Sequence, residues 1–232
     1  MDSNRHRLLL AGILKDIYSL SDPARFLGFK GGTALMFLYG LPRFSVDLDF
    51  NLLDLEREQA VYDEVRKVLL KYGSIADEAL KYYGPVLVLD YGKGERKLKV
   101  EISKRQFDNH YEIKNFFGTS LKVMTMPDMF SHKLCALLDR GAVINRDIFD
   151  AWFFMEKRTP LNKALIETRM NMPLAAYLDA CIEKIKHLPE KTILHGLGDL
   201  MDEKTKDFVR ARLKKETLGL LEFYRDFPLL ID

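Results

Sequence analysis

Apolar residues recur every three to four positions through HRLLLAGILKDIYSL, residues 6 to 20, a spacing that predicts an amphipathic helix. The segment DPARFLGFK (22–30) then leads to a glycine pair, and GTALMFLYG (32–40) reads as a short buried helix stopped by Gly40 and Pro42. In FSVDLDFNL (44–52) the period falls to two, which predicts a strand. Asp54 is placed to cap a helix from roughly Leu55 to Tyr72, with Val61, Val65, Val68 and Leu69 on one face. VLVLDYG (86–92), KLKVEIS (97–103) and YEIKNFF (111–117) read as further strands. From Pro127 the pattern is helical almost to the end, broken at Pro160, Pro173, Pro189 and the Gly196/Gly198 pair. Strands gathered in the first half and helices in the second predict an α+β fold, a sheet flanked by helices and followed by a helical C-terminal portion. No long linker marks a boundary; it is placed between residues 125 and 126, giving a core of 1–125 and a helical portion of 126–232.

Composition narrows the class. The 232 residues are 47% hydrophobic and 30% charged, the balance of an ordinary globular protein able to bury a real core. A formal net charge of +2 gives no global electrostatic case for a nucleic-acid partner, so any basic surface must be local. No apolar run approaches a membrane span, and the start MDSNRHRLLLAGILKD, broken by Lys15 and Asp16, shows no signal-peptide cleavage pattern. Cys135 and Cys181, far apart within helical patterns, are poor material for a disulfide framework; a reducing cytoplasm is the expected compartment.

The candidate chemistry starts in RFSVDLDF (43–50). Read as a strand, it puts Phe44, Val46, Leu48 and Phe50 on one face and Arg43, Ser45, Asp47 and Asp49 on the other. Two carboxylates roughly 6 to 7 Å apart on one face repel each other unless a cation lies between or above them. A hard divalent ion with oxygen ligands meets that need, and Mg²⁺ commonly binds substrate phosphates as well. The competing reading is a solvated sheet face that carries two Asp by chance, although Asp is a poor strand former.

Gly31 and Gly32 add the opposite charge. Glycines let main chain approach an anion closely, and the N–H groups opening the helix at Thr33 carry the partial positive charge of a helix start. A Gly-Gly alone is most often a turn. Followed by Asp-x-Asp about fifteen residues later, it provides for both halves of a metal–nucleotide. The spacing is neither GxGxxG nor GxxxxGK[ST], which excludes Rossmann and P-loop readings. For a third carboxylate, KLKVEIS offers Glu101, which shares a polar face with Lys97, Lys99 and Ser103; a solvated Glu is the competing reading and Asp90 the fallback.

KGGTAL (30–35), RFSVDLDF (43–50), KVEIS (99–103), KLCALLDR (133–140) and NRDIFD (145–150), in this order over roughly residues 25–155, resemble the AbiEii/AbiGii nucleotidyltransferase toxins of the DNA polymerase β-like nucleotidyltransferase superfamily. The resemblance implies a nucleotidyltransferase-like mixed sheet, with the helical portion completing the active site. It further implies that Gly31, Gly32 and Thr33 form the phosphate-binding turn and that Ser45 precedes the metal-binding pair Asp47 and Asp49. Glu101 would be a further acid at the metal, Lys133 a lysine that contacts nucleotide phosphates, and Asp147 a later essential acid.

The residues themselves agree in part. In PDMFSHKLCALLDRG, Phe130, Leu134, Leu137 and Leu138 make an apolar stripe, and Lys133 and Arg140, seven apart, fall on nearly one side. Two cations there suit a bound nucleotide, while two solvated basic residues are the alternative. Asp147 and Asp150, one turn apart, also suit a helix start for dipole reasons alone. His110, His132, His187 and His195 lack metal spacing, and Trp152 is expected in the core. From about Asn162 onward only helix packing is legible.

The mechanism implied is nucleotidyl transfer dependent on Mg²⁺, with Mn²⁺ as the alternative ion and an NTP as substrate. Asp47 and Asp49 would hold the ion, Gly31, Gly32 and Ser45 the β and γ phosphates. Lys133, with Arg140, would meet negative charge on the phosphates, and Glu101 or Asp147 would orient the acceptor hydroxyl. Relatives modify the 3′ end of tRNA, which implies a toxin with a cognate antitoxin and an RNA acceptor, and no membrane partner. The rival readings are a small-molecule acceptor of the aminoglycoside kind and a non-catalytic binding module whose acidic strand meets a basic partner.

Overall fold

The computed structural model describes residues 2–139 and 145–231. The chain divides into two compact units, Met1–Gly40 with Ser45–Met124, and Leu41–Phe44 with Thr125–Asp232.

The first unit opens with α1 (Ser3–Tyr18), whose first turn is capped by the Asp2 carboxylate accepting the N–H groups of Asn4 and Arg5. Leu10, Ile13, Leu14 and Ile17 form its buried stripe, as the spacing predicts. Then come α2 (Ser21–Phe26), β1 (Leu27–Lys30), α3 (Gly31–Leu38), β2 (Leu48–Leu52), a 3₁₀ turn at Leu55–Arg57 and α4 (Glu58–Leu69). Asp54 caps that turn, and α4 buries Val61, Val65, Val68 and Leu69. Strands β3 (Ser74–Lys81), β4 (Gly84–Asp90), β5 (Leu98–Ser103), β6 (Tyr111–Phe116) and β7 (Thr119–Met124) complete the unit. Among the described residues the strands form one seven-stranded mixed sheet in the order β3-β4-β5-β2-β1-β7-β6, with β2/β5 and β1/β7 parallel. The fold is therefore α+β, as expected.

Register explains how the sheet serves two purposes. Val123, Phe29, Phe50 and Ile102 stand opposite one another across β7, β1, β2 and β5, all buried. Burying each such side chain contributes roughly 1.5–3 kcal/mol, so this row fixes the strand alignment. One residue along, side chains point to the other face. There Lys30 stands opposite Asp49, and Asp49 opposite Glu101.

Three expectations change. The segment from Phe44 to Asp47 is not strand; β2 begins at Leu48. Side chains take the main-chain groups that a ladder would need: His6 Nε2 bonds Val46 O, and the Thr33 hydroxyl donates to Asp47 O. Arg43 belongs to the second unit rather than to a polar face shared with Ser45, Asp47 and Asp49. Strands β1, β3 and β7 go beyond the pattern, β3 because SIADEALK is largely exposed and is held chiefly by main-chain pairing with β4.

The second unit is helical: α5 (Met126–Asp139), α6 (Asn145–Glu156), α7 (Lys163–Met170), α8 (Leu174–Lys186), α9 (Glu203–Phe208), a π-helical turn at Val209–Leu213 and α10 (Lys214–Asp226). Phe130 stacks on Phe154 and meets Tyr224 edge-on at its centre. Asn162 caps α7 through Leu165 N–H while its amide donates to Asp128. Cys135 and Cys181 are buried free thiols, each pushed up to about 12 by burial. Trp152 is half-buried rather than core, its indole N–H donating to Glu216. Among the described residues no helix is long and apolar enough to cross a membrane.

Candidate functional site

In the first unit the site is built where β1 gives way to α3. Gly31 has φ +82°, and a Cβ placed on it would lie 2.5 Å from Asp49 Oδ2 and 3.1 Å from Asp49 Cβ. The carboxylate is pressed against bare main chain, so glycine is required for both the left-handed turn and the close approach. The first N–H groups of α3 have no intrahelical partners and carry the helix's positive end, beside that carboxylate. Thr33, in the same turn, is buried and fastens the helix start to Asp47 O. Ser45 is buried too, its N–H donating to Met36 Sδ.

The three predicted acids of this unit come together. Asp49 stands beside Glu101 in the β2/β5 register, and Asp47 Oδ1 accepts the Lys99 N–H of β5 at 3.4 Å. Burial pushes the Asp49 carboxyl above its usual range, opposed by Lys30 and Lys99 and reinforced by Asp47 and Glu101. Glu101 is also disfavoured by burial, yet the Lys99 ammonium, 2.8 Å from Glu101 Oε2, outweighs that and holds it below the usual carboxylate range. For Lys99, burial is overcome in turn by Glu101, Asp49 and Asp47, which raise it. Among the described residues no group of three or more His, Cys, Asp or Glu side chains is placed to hold a metal ion. The donor set still suits Mg²⁺, which is usually held by one or two carboxylates plus substrate phosphates rather than by an all-protein cage. Asp47 and Asp49 supply those hard oxygens; Glu101 is held by Lys99.

In the second unit, Lys133 and Asp147 are also brought together, through a residue whose weight the sequence hides. Asp150 is fully buried and takes both Nε and Nη2 of Arg43, at 2.6 and 2.7 Å, as a bidentate pair. Its Oδ2 also lies 2.8 Å from Lys133 Nζ, while Asp147 Oδ1 lies 3.4 Å from the same ammonium. Burial opposes the charge on Lys133, but Asp150 and Asp147 outweigh it and raise its pKa. Burial likewise works against Asp150, yet Arg43 and Lys133 bring it down to about 2. Arg140 lies outside the described residues.

Sequence reasoning missed the roles of Lys30, Lys99, Arg43 and His6. Lys99 carried a signal, two residues before Glu101 on one strand face. His6 carried only its place on the buried stripe of α1; its imidazole, kept below its usual value chiefly by burial, joins Tyr91 and Val46 O. Among the expected histidines, His187 bonds Glu183 O and His132 meets Arg169.

A family model described as nucleotidyl transferase AbiEii toxin, type IV TA system, matches residues 12–226. No curated protein matches the sequence. Among solved structures, a putative nucleotidyltransferase from Helicobacter pylori is similar at TM-score 0.59 and 21% identity, over 95% of this chain and 96% of its own. JHP933 from the same organism is similar at TM-score 0.56 and 22% identity, over 95% and 93%. At these identities the likeness is one of fold.

Two outcomes follow from the charges. Because burial, reinforced by Asp47 and Glu101, disfavours charge on Asp49, the neutral Asp49→Asn will raise the melting temperature of the metal-free protein by a few degrees, read by calorimetry. Asp150→Asn will destabilise by about 3–5 kcal/mol at pH 7, since it removes the bidentate carboxylate of Arg43 and the nearer carboxylate of Lys133. Asp150's depressed pKa gives stability that is present above its unfolded value near 4 and lost as pH falls toward about 2. Urea melts taken between pH 5 and 2 will therefore show wild type losing on the order of 2 kcal/mol more than Asp150→Asn over that window.

Proposed function

The chain belongs to the AbiEii nucleotidyl transferase toxin family of type IV toxin–antitoxin systems, and on that premise we propose that it transfers a nucleoside monophosphate from an NTP to an RNA hydroxyl, with the 3′ end of tRNA as acceptor. The observation that supports this reading best is the contact between the Asp49 carboxylate and the Gly31 main chain. It puts a cation ligand beside an anion-binding helix start, the two things that a metal–triphosphate requires.

Asp47 and Asp49 would hold Mg²⁺ or Mn²⁺, which would supply neutralisation of the triphosphate and polarisation of the phosphoryl group. The chain's own groups do the rest. The Gly31 and Gly32 N–H groups receive β- and γ-phosphate oxygens at the start of α3, and Lys30 adds a positive charge next to them. Thr33 holds this turn in place against Asp47 O rather than offering its hydroxyl to the nucleotide. Glu101 accepts the proton of the acceptor hydroxyl, whose oxygen attacks the α-phosphorus in line as the bond to pyrophosphate breaks. In the second unit, Asp150 and Asp147 together favour the charged form of Lys133. A type IV system implies a cognate antitoxin, and we place the activity in the cytoplasm.

Incubation with each α-labelled NTP, Mg²⁺ and either total RNA or protein extract tests this. Label is expected in the RNA pool, with Asp49→Ala slower by about 100-fold or more. Label in protein alone, or wild-type transfer by Asp49→Ala, would contradict it.

A further inference from the structure

Lys99 holds a position that the transfer reaction leaves unexplained. It lies on β5 two residues before Glu101, so both side chains stand on the sheet face that carries Asp49. Its ammonium is 2.8 Å from Glu101 Oε2, and its own main-chain N–H is donated to Asp47 Oδ1. One residue is thus bonded to two of the three acids, and the third stands beside Glu101 in register. Half-exposed Lys–Glu pairs contribute little to stability, which leaves charge balance as the function of this one. A cluster of three carboxylates needs a cation, and Lys99 is bound to it where a metal's third oxygen ligand would come from.

We propose that the Lys99 ammonium is a resident counter-cation that a divalent ion must displace from Glu101. This rests on the metal reading above and adds a regulation to it: competition with Lys99 sets the divalent concentration at which the site loads. The exchange is ionic throughout. The Nζ–Oε2 pair opens, Glu101 turns one carboxylate oxygen to the divalent ion beside Asp47 and Asp49 and keeps the other for the acceptor proton, and the ammonium passes to solvent or phosphate. Before loading, Lys99 keeps the acids from repelling one another; afterwards the metal does so.

Isothermal titration of Mn²⁺ into the metal-free full chain separates the cases. Lys99→Met is expected to bind Mn²⁺ about tenfold more tightly than wild type. Lys97→Met makes the same charge change at an exposed position just before β5, and should stay within about twofold of wild type. Asp49→Asn should lose binding. Unchanged affinity in Lys99→Met, with binding still lost in Asp49→Asn, overturns the displacement and leaves the metal site standing. Equal tightening in Lys97→Met and Lys99→Met also overturns it, since bulk charge would then suffice. No Mn²⁺ binding by any of the proteins overturns both the displacement and the metal reading.

Discussion

The site depends on one close approach, the Asp49 carboxylate lying against the main chain of Gly31 with no side chain between them. That contact follows from packing on the opposite side of the sheet. The buried row Val123–Phe29–Phe50–Ile102 sets the register of four strands, and alternation then brings Lys30, Asp49 and Glu101 into line on the other face. A slip of one residue would bury the charges and expose the phenylalanines. The chemistry of the site is in this sense held in place by its core.

Charge compensation is the second constraint, and each unit meets it in its own way. Around Asp49 burial is the largest influence and raises its pKa despite Lys30 and Lys99, with Asp47 and Glu101 adding to the rise. Around Asp150 the balance is closed: two carboxylates face Arg43 and Lys133, and burial strengthens what it would otherwise penalise. On the function proposed above, the first arrangement is the one that takes a cation. The second holds its own cations fixed, which is how a lysine stays charged when mostly buried.

Much of this was legible in the sequence where a single element decided the outcome. The stripes of α1 and α4, the alternation of β5 and the glycine turn followed by Asp-x-Asp all express local periodicity and backbone freedom. What remained hidden depended on partners distant in sequence. Phe44–Asp47 alternates like a strand, but His6 and Thr33 take its carbonyls, and neither bond has a local signature. Arg43 read as part of a polar face until Asp150, 107 residues away, claimed it. Lys99 and Lys30 sat in plain view, yet their effect on Asp49 arises from cross-strand register, which no single strand reveals. Strand β3 lacks an apolar face altogether, so the hairpin with β4 defines it instead.

The central claim is that Asp47, Asp49 and the Gly31–Gly32 turn together seat a metal–triphosphate. Anomalous diffraction from crystals grown with Mn²⁺ and a non-hydrolysable NTP analogue tests it most directly. The account predicts a manganese peak within bonding distance of Asp47 and Asp49 oxygens, with β- and γ-phosphate oxygens on the N–H groups that open α3. Manganese and triphosphate bound elsewhere, with the Asp49 carboxylate free of metal, would contradict it.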